Sequence, residues 1–582
     1  MTGIHTQELS QSDAGSPTSR RGTETRGGSD SRPSPVEFAV MAFALGAGMV
    51  ALIGTWWRVA TENLVWSGSV GGLLDDSMQY LTWIGESSSH FGAGNLFRLE
   101  PPTRVFVHPG ILFSAFLHKL GVSIPMSYAI LIPVAGIALC AGAFMLISSV
   151  MKRGWGRVVA LAIALFCTAP LSLFELVPGL DQAMVRLVAG DLRTLLPLWG
   201  YPYSTFAVAL ACFSFVWFGK SRAKGATFSA ALCLGVFMTA WLQPWQGSTL
   251  MISIVACEAL LAFTRLSKIA PERSGEWKLA ATAVLAGLPP LIYYWVLGHH
   301  DQSWIASERN LDLVSGSTQL ELIPLIVAPL AIPALLIAFV PVKTTQDLVV
   351  RVWPVVGIGQ AFLLSVTGLA NSPSHALRGV AIPLAVLAVC GVGNLMRSSQ
   401  RSGRAAAAVL GVIVIAGIGT YGEVRTQIDA VWGTGLNSVV AHPYISNDDQ
   451  HVLDWLAASQ IKGGALGDIG KVSTMIPLHT GRQVWMGHGS WSPNTVDRRE
   501  AVSAILLGAP CCQKALLGMS NGQFVQATGA RFVVVSCGFP TDRVIAELMP
   551  VTQEIHRFGC NTVIVIRPGK STADRLRVAR SF

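Results

Sequence analysis

The chain has 582 residues, 51% of them hydrophobic and 13% charged, with a formal net charge of +9. Soluble globular proteins carry about 25% charged residues, so this composition excludes a disordered scaffold and an ordinary water-soluble enzyme. Apolar runs long enough to cross a bilayer recur along it, which predicts a polytopic α-helical membrane protein.

Residues 1–35 are rich in Ser, Thr, Gly and Pro, and their charges cancel, so they are expected to form a disordered cytoplasmic tail. No apolar core of a cleavable signal precedes residue 36, and the run 36–57 is expected to be a retained span. Further runs fall at 126–150, 158–175, 203–219, 226–241, 248–264, 279–297, 319–341, 352–370, 379–396 and 405–422. The sum is about eleven transmembrane helices over 36–422, followed by an α/β domain over 423–582. Gln243-Pro244-Trp245-Gln246-Gly247 predicts a tight turn at a membrane face.

The loops near 152–157, 220–224, 265–278, 343–351 and 397–404 hold fifteen Lys and Arg against Glu272, Glu276 and Asp347. By the positive-inside rule these loops are cytoplasmic, with the tail. The opposite loops, 58–125, 176–202, 298–318 and 371–378, are net acidic and belong outside with the C-terminal domain. The basic balance is therefore a topology signal against an anionic inner leaflet, and it gives no support to nucleic-acid binding.

The first outer loop, 58–125, contains Asp75-Asp76-Ser77-Met78-Gln79-Tyr80-Leu81 just beyond the first span. Apolar residues at 78, 81 and 84 predict an amphipathic helix along the membrane surface. One aspartate at its start serves as an N-cap. A second, adjacent carboxylate exceeds that need and suits a general base toward a hydroxyl or a metal ligand.

This Asp-Asp-x-x-x-Tyr-Leu pattern, with Asn95-Leu96-Phe97, Glu100-Pro101 and Leu120-Gly121-Val122-Ser123, resembles the first outer loop of bacterial GT-C glycosyltransferases. The resemblance implies a membrane body that takes a sugar from a polyprenyl-phosphate-linked donor in the bilayer. The acceptor is an extracytoplasmic glycan, lipid or protein. By the family spacing Asp76 is the implied catalytic base, with Asp75 as the alternative, and Gln79, Tyr80 and Glu100 are implied substrate contacts.

The loop holding Trp304, Glu308, Arg309 and Asn310 resembles a later loop of related membrane proteins, and Asn371–Arg378 adds His375 and Arg378 at a span mouth. An arginine there suits a lipid phosphate, with interfacial snorkelling as the plainer reading. Glu308 and Arg309 also read as an ordinary solvated pair. Arg104 or Arg309 is a candidate second cation for an electrostatic clamp. The run from Asp454 to Val535 resembles the small α/β domain that ends many bacterial GT-C proteins.

The chain lacks the Trp-Trp-Asp signature and the further acidic motifs of oligosaccharyltransferase-like enzymes, so no cofactor is called for and a divalent metal is unsupported. The histidines do not show ligand spacing, and no glycine-rich phosphate loop with a lysine occurs. Cys511, Cys512, Cys537 and Cys560 fall in the outer domain and allow two disulfides. Cys537 closes one predicted strand and Cys560 opens another, so an antiparallel pairing would bridge them. The resulting expectation is a bacterial inner-membrane, inverting glycosyltransferase, and the rival classes are a flippase of a lipid-linked glycan and a non-catalytic assembly subunit.

Overall fold

A computed structural model describes residues 32–62, 64–70, 74–166, 182–192, 194, 200–263, 277–315, 318–367, 372–398, 443–468, 472–509 and 515–569, with isolated positions in 411–432 and 575–581. The expected tail over 1–31, nearly all of the expected span 405–422, and Cys511 and Cys512 lie outside these residues.

The chain runs through α1 (Pro35–Glu62), α2 (Leu74–His90), α3 (Pro109–Lys119), α4 (Ile124–Ala129) and α5 (Leu131–Val150). It continues through α6 (Trp155–Phe166), α7 (Gln182–Leu192), α8 (Pro202–Ala223), α9 (Ala230–Leu242) and α10 (Pro244–Phe263). The last helices of the membrane body are α11 (Trp277–His300), α12 (Gln302–Ser315), α13 (Thr318–Leu335), α14 (Thr345–Thr367) and α15 (Ala381–Ser398). Among the described residues, α1, the run α4–α5, α8, α10, α11 and α14 are long and apolar enough to cross a membrane. Shorter apolar helices are α6, α9 and most of α13 and α15. Among the described residues, the ten expected runs other than 405–422 fall wholly or largely on these helices, while 167–175 of the run 158–175 lies outside the described residues.

Close packing explains the small residues inside this body. A Cβ on Gly142 of α5 would lie 2.9 Å from the Ala209 carbonyl oxygen of α8, so only glycine lets the backbones approach there. Ser34 and Glu37 cap α1 reciprocally, at 2.7 and 3.3 Å. Among the charge pairs buried in the body, Arg157 grips Glu37 with Nε and Nη2, and Arg222 Nε lies 2.9 Å from Glu258 Oε1. Burying a charge is expensive unless it is paired, and both acids are fully buried.

The C-terminal domain contains α16 (Asn447–Ala458), α17 (Val472–Thr480), α18 (Thr495–Leu507), α19 (Asn521–Thr528) and α20 (Thr541–Leu548). Its sheet has strand order β3 (Ala465–Leu466), β4 (Phe532–Val535), β6 (Asn561–Ile566), β5 (Thr552–Phe558), with β3 parallel to β4 and the other pairs antiparallel. Both faces are buried. Val533, Val535, Ile564 and Ile566 meet one core, and Phe532, Val534, Val563 and Val565 meet another. Cys537 and Cys560 are joined by a disulfide where β4 ends and β6 begins, with Cα atoms 5.0 Å apart. The segment after residue 423 first returns to the body, where Arg58 Nη1 of α1 donates to the Val431 carbonyl at 2.6 Å.

The second core of the sheet is continuous with α2, through Leu74, Met78, Leu81 and Ile84. This corrects the expectation of a helix lying on the membrane surface. The apolar stripe exists, but α3 and α17 cover it, and Met78, Leu81 and Ile84 are fully buried in protein. Periodicity reveals an apolar face, and cannot tell a lipid partner from a protein one. A short antiparallel pair, β1 (Val65–Trp66) with β2 (Tyr444–Ile445), ties the same loop to the C-terminal domain.

Candidate active site

Asp75 and Asp76 occupy the first turn of α2, where the helix dipole favours negative charge. Tyr201, the residue before α8, donates its hydroxyl proton to Asp76 Oδ2. Asp76 Oδ1 lies 3.6 Å from Nε2 of His488, a residue of the C-terminal domain. The Asp76 side chain is 38% exposed while Leu74, Ser77 and Met78 around it on α2 are buried, so its carboxylate is reachable from solvent. Three parts of the chain, the first outer loop, the start of α8 and the C-terminal domain, therefore meet at one carboxylate.

The two aspartates are pushed in opposite directions. Burial raises Asp75, helped by the neighbouring Asp76 charge, and its carboxyl titrates above the ordinary aspartate range. Burial also acts on Asp76, but His488 and Tyr201 outweigh it and hold the carboxyl below that range. Such splitting separates an ionised acceptor of protons from a neighbour that keeps its proton longer. Burial and the Asp76 charge push the Tyr201 and Tyr80 phenols well up, so both remain donors at neutral pH.

A second charged cluster adjoins the first. Arg378 donates from Nε to Asp191 Oδ1 and from Nη1 to Ser204 Oγ, both at 2.7 Å, and its guanidinium lies over the Tyr201 ring. Ser374 and His375 also contact Asp191, at 2.5 and 3.2 Å. Asp191 is held far below the carboxylate range: Arg378, His375 and Ser374 overcome the effect of burial. Burial and the Arg378 charge lower His375, leaving it neutral at pH 7.

The implied site residues divide by place. Asp75, Asp76, Tyr80, His375 and Arg378 converge here, and Gln79 is buried on α2. Tyr80 stacks on Tyr128 and meets Tyr201 and Tyr203 edge-on. Arg104 instead pairs with Glu86 at 2.8 Å, and Glu100 with Arg98 at 3.0 Å. Arg309 is exposed, and the Glu308 carboxyl packs toward Gly298. Trp304 stacks edge-on against Trp491. Asn310 Nδ2 donates to the carbonyls of Ser490 (2.8 Å) and Ser492 (2.6 Å), and Asn95 Nδ2 donates to that of Trp491 (2.8 Å). Asn310 thus holds the turn that carries His488.

Sequence reasoning missed Tyr201, Asp191, Ser204 and the role of His488. The available signal was an aspartate and a Gly-Tyr-Pro-Tyr motif in the loop 176–202, and a histidine in the Trp-bracketed run 485–491.

No model of a protein family matches the chain, and no curated protein matches it in sequence. In structure it resembles the arabinofuranosyltransferase AftD from Mycobacteria (TM-score 0.50, 14% identity), covering 93% of this chain and 40% of that one. The fold is that of a GT-C membrane glycosyltransferase. Looser likenesses to structures with this GT-C fold are to ArnT from Cupriavidus metallidurans bound to undecaprenyl phosphate (TM-score 0.45, 10% identity, 90% of this chain and 97% of that one). Another is to AglB from Archaeoglobus fulgidus in complex with an inhibitory peptide and a dolichol-phosphate (0.41, 10%, 86% and 69%). The chain spans about 40% of the length of the arabinofuranosyltransferase.

Proposed function

We propose that the protein transfers a sugar from a polyprenyl-phosphate donor to an extracytoplasmic acceptor, with inversion and with Asp76 as general base. The observation that carries this reading is a solvent-exposed carboxylate, held in its ionised form, where the membrane body meets the C-terminal domain. In this reaction the acceptor hydroxyl gives its proton to Asp76 as its oxygen attacks the anomeric carbon. The carbon–oxygen bond to phosphate breaks, and the polyprenyl phosphate leaves with the electron pair. Arg378 and His375 meet the leaving phosphate, while Asp191 and Ser204 keep the guanidinium in place.

A lateral groove of about 970 Å³ between α13, α14 and α15 suits the prenyl chain, since Leu335, Val355, Phe362, Leu363 and Val366 line it. Along α14 it runs from Arg351 to Val366, about 22 Å, toward the turn that carries His375 and Arg378. A donor supplied in the bilayer fits this layout. The C-terminal domain and the acidic loops lie on the extracytoplasmic side of an inner membrane, and the basic loops inside.

Asp76→Asn tests the reading. Purified protein in nanodiscs is expected to lose transfer from polyprenyl-phosphate sugars by about 100-fold or more while still binding the donor. Glycan profiles of a deletion strain name the acceptor. An accumulated, unflipped lipid intermediate, with Asp76→Asn fully active, supports the flippase alternative instead. That alternative is the weaker one, because Glu258, the mid-span charge it would use, is paired with Arg222.

A further inference from the structure

The helix that covers α2 is apolar on two sides. On its inner side, Ile111 and Ala115 of α3 are buried in one core with Leu74, Met78, Leu81 and Ile84 of α2. On its outer side Phe113, Phe116 and Leu120 stand 50%, 56% and 66% exposed, at the spacing of a single helical face. Water disfavours such a face, and among the described residues no segment covers it. Its exposure matches that of residues on the helices long enough to cross a membrane. Val134 and Ile137 of α5 are 47% and 56% exposed, and Ile292 and Trp295 of α11 are 55% and 59%. From Val105 to Val150, Lys119 is the sole Asp, Glu, Lys or Arg, so the apolar character runs from α3 into the span α4–α5 without a break.

Both ends of α3 are tied to the ends of membrane helices. Ahead of it, the Tyr293 hydroxyl of α11 donates to the Val105 carbonyl at 2.8 Å and accepts from the Val107 N–H at 2.6 Å. Trp241 Nε1, at the end of α9, donates to the Val107 carbonyl at 3.0 Å. Tyr and Trp favour the boundary between a bilayer and water, which fits that level. Behind α3, the Gly121 and Val122 N–H groups close the helix on the His118 and Leu117 carbonyls, with Gly121 at a φ of 96°. His118 Nδ1 lies 2.9 Å from the Val122 carbonyl oxygen, and α4 starts at Ile124. A helix about 16 Å long, fixed at both ends to ends of spans, lies along that level and does not cross it. The same end of α11 leads to Trp304, which meets Trp491 of the C-terminal domain.

We propose that α3 is embedded in the phospholipid leaflet beside the C-terminal domain. Phe113, Phe116 and Leu120 enter its acyl region, and the exposed Lys119 stays among the headgroups. The lipid-held α3 in turn keeps α2, with Asp75 and Asp76 in its first turn, at a fixed height over the bilayer. The outer leaflet surface, and not a second protein, is the occupant, because the exposed face continues directly into the lipid-facing residues of α5. The inference stands on the membrane body and does not depend on which reaction the aspartates serve.

Two measurements test this on the full chain in nanodiscs of phosphatidylcholine and phosphatidylglycerol. In the first, the photo-crosslinker p-benzoylphenylalanine replaces Phe113, Phe116 or, as a reference on a span, Val134. Mass spectrometry then identifies what each position captures on irradiation. Phospholipid adducts at 113 and 116, as at 134, are expected. A link to a second copy of the chain, a link to another segment of the same chain, or no lipid adduct where Val134 gives one overturns the proposal. No lipid adduct at any of the three overturns it together with the placement of α5 in the bilayer. The second measurement is amide hydrogen exchange in wild type and in Phe113→Ser with Phe116→Ser. Neither phenylalanine belongs to the core shared with α2, so a role confined to protein packing leaves α2 unchanged. Lipid anchoring instead makes exchange in α2 faster by about tenfold or more, with the spans unaltered. Unchanged exchange in α2 overturns the claim that the leaflet holds this pair of helices.

Discussion

In the proposed reaction Asp76 serves as base only while it is ionised, and its neighbours decide how far down in pH that lasts. Because His488 and Tyr201 hold it below the ordinary aspartate value of 3.8, activity should stay level through pH 5 and its acid limb should fall beneath that value. The same depression makes Asp76 and Asp191 stabilise the fold fully above 3.8, a contribution lost as pH falls through their lower folded values. Tyr201→Phe removes a donor to the ionised carboxylate, so the acid limb should move upward, and the pH–rate profile reads the shift directly. The aspartate pair was legible, because two adjacent carboxylates exceed what a helix start needs, and the family resemblance favoured Asp76 within it. Tyr201 and Asp191 were not. Each lies more than 100 positions from Asp76, and nothing in a lone tyrosine or aspartate tells what it will face.

At the scale of elements, most helices could be read from apolar runs, since a bilayer demands both length and composition. Their partners could not. The stripe of α2 meets the C-terminal sheet, and the asparagines at 95 and 310 act as clamps on the turn that bears His488. Asn310→Ala leaves the Ser490 and Ser492 carbonyls without that donor and should cost about 1–3 kcal/mol. The melting temperature should fall, and transfer should fall further than donor binding does. The Cys537–Cys560 bridge was foreseeable because a strand end and a strand start meet in an antiparallel pair. It closes a loop of 23 residues, so Cys537→Ser with Cys560→Ser should lower stability by about 3 kcal/mol in an unfolding titration.

For the whole molecule, the buried pairs Glu37–Arg157 and Glu258–Arg222 tie α1 to α6 and α8 to α10 within the body. Removing one partner takes the ion pair away from a charge that stays buried. Glu258→Ala or Arg222→Ala should cost about 3–5 kcal/mol, whereas Glu258→Gln with Arg222→Met should recover much of it, as thermal unfolding in nanodiscs would report. An equal loss in the single and double variants would mean that the pair is not the source of the effect.

The sequence alone determined that the chain lives in a membrane, how its loops alternate in charge, that two adjacent carboxylates follow the first apolar run and which cysteines could bridge. These properties follow from local composition, periodicity and spacing, which neighbouring residues carry by themselves. Only the tertiary structure decided what Asp76 faces, that Arg378 is held by Asp191, and that a histidine from the C-terminal domain comes within 3.6 Å of the Asp76 carboxylate. Those facts depend on contacts between residues up to about 400 positions apart, where chain connectivity places no constraint and packing alone selects the partner.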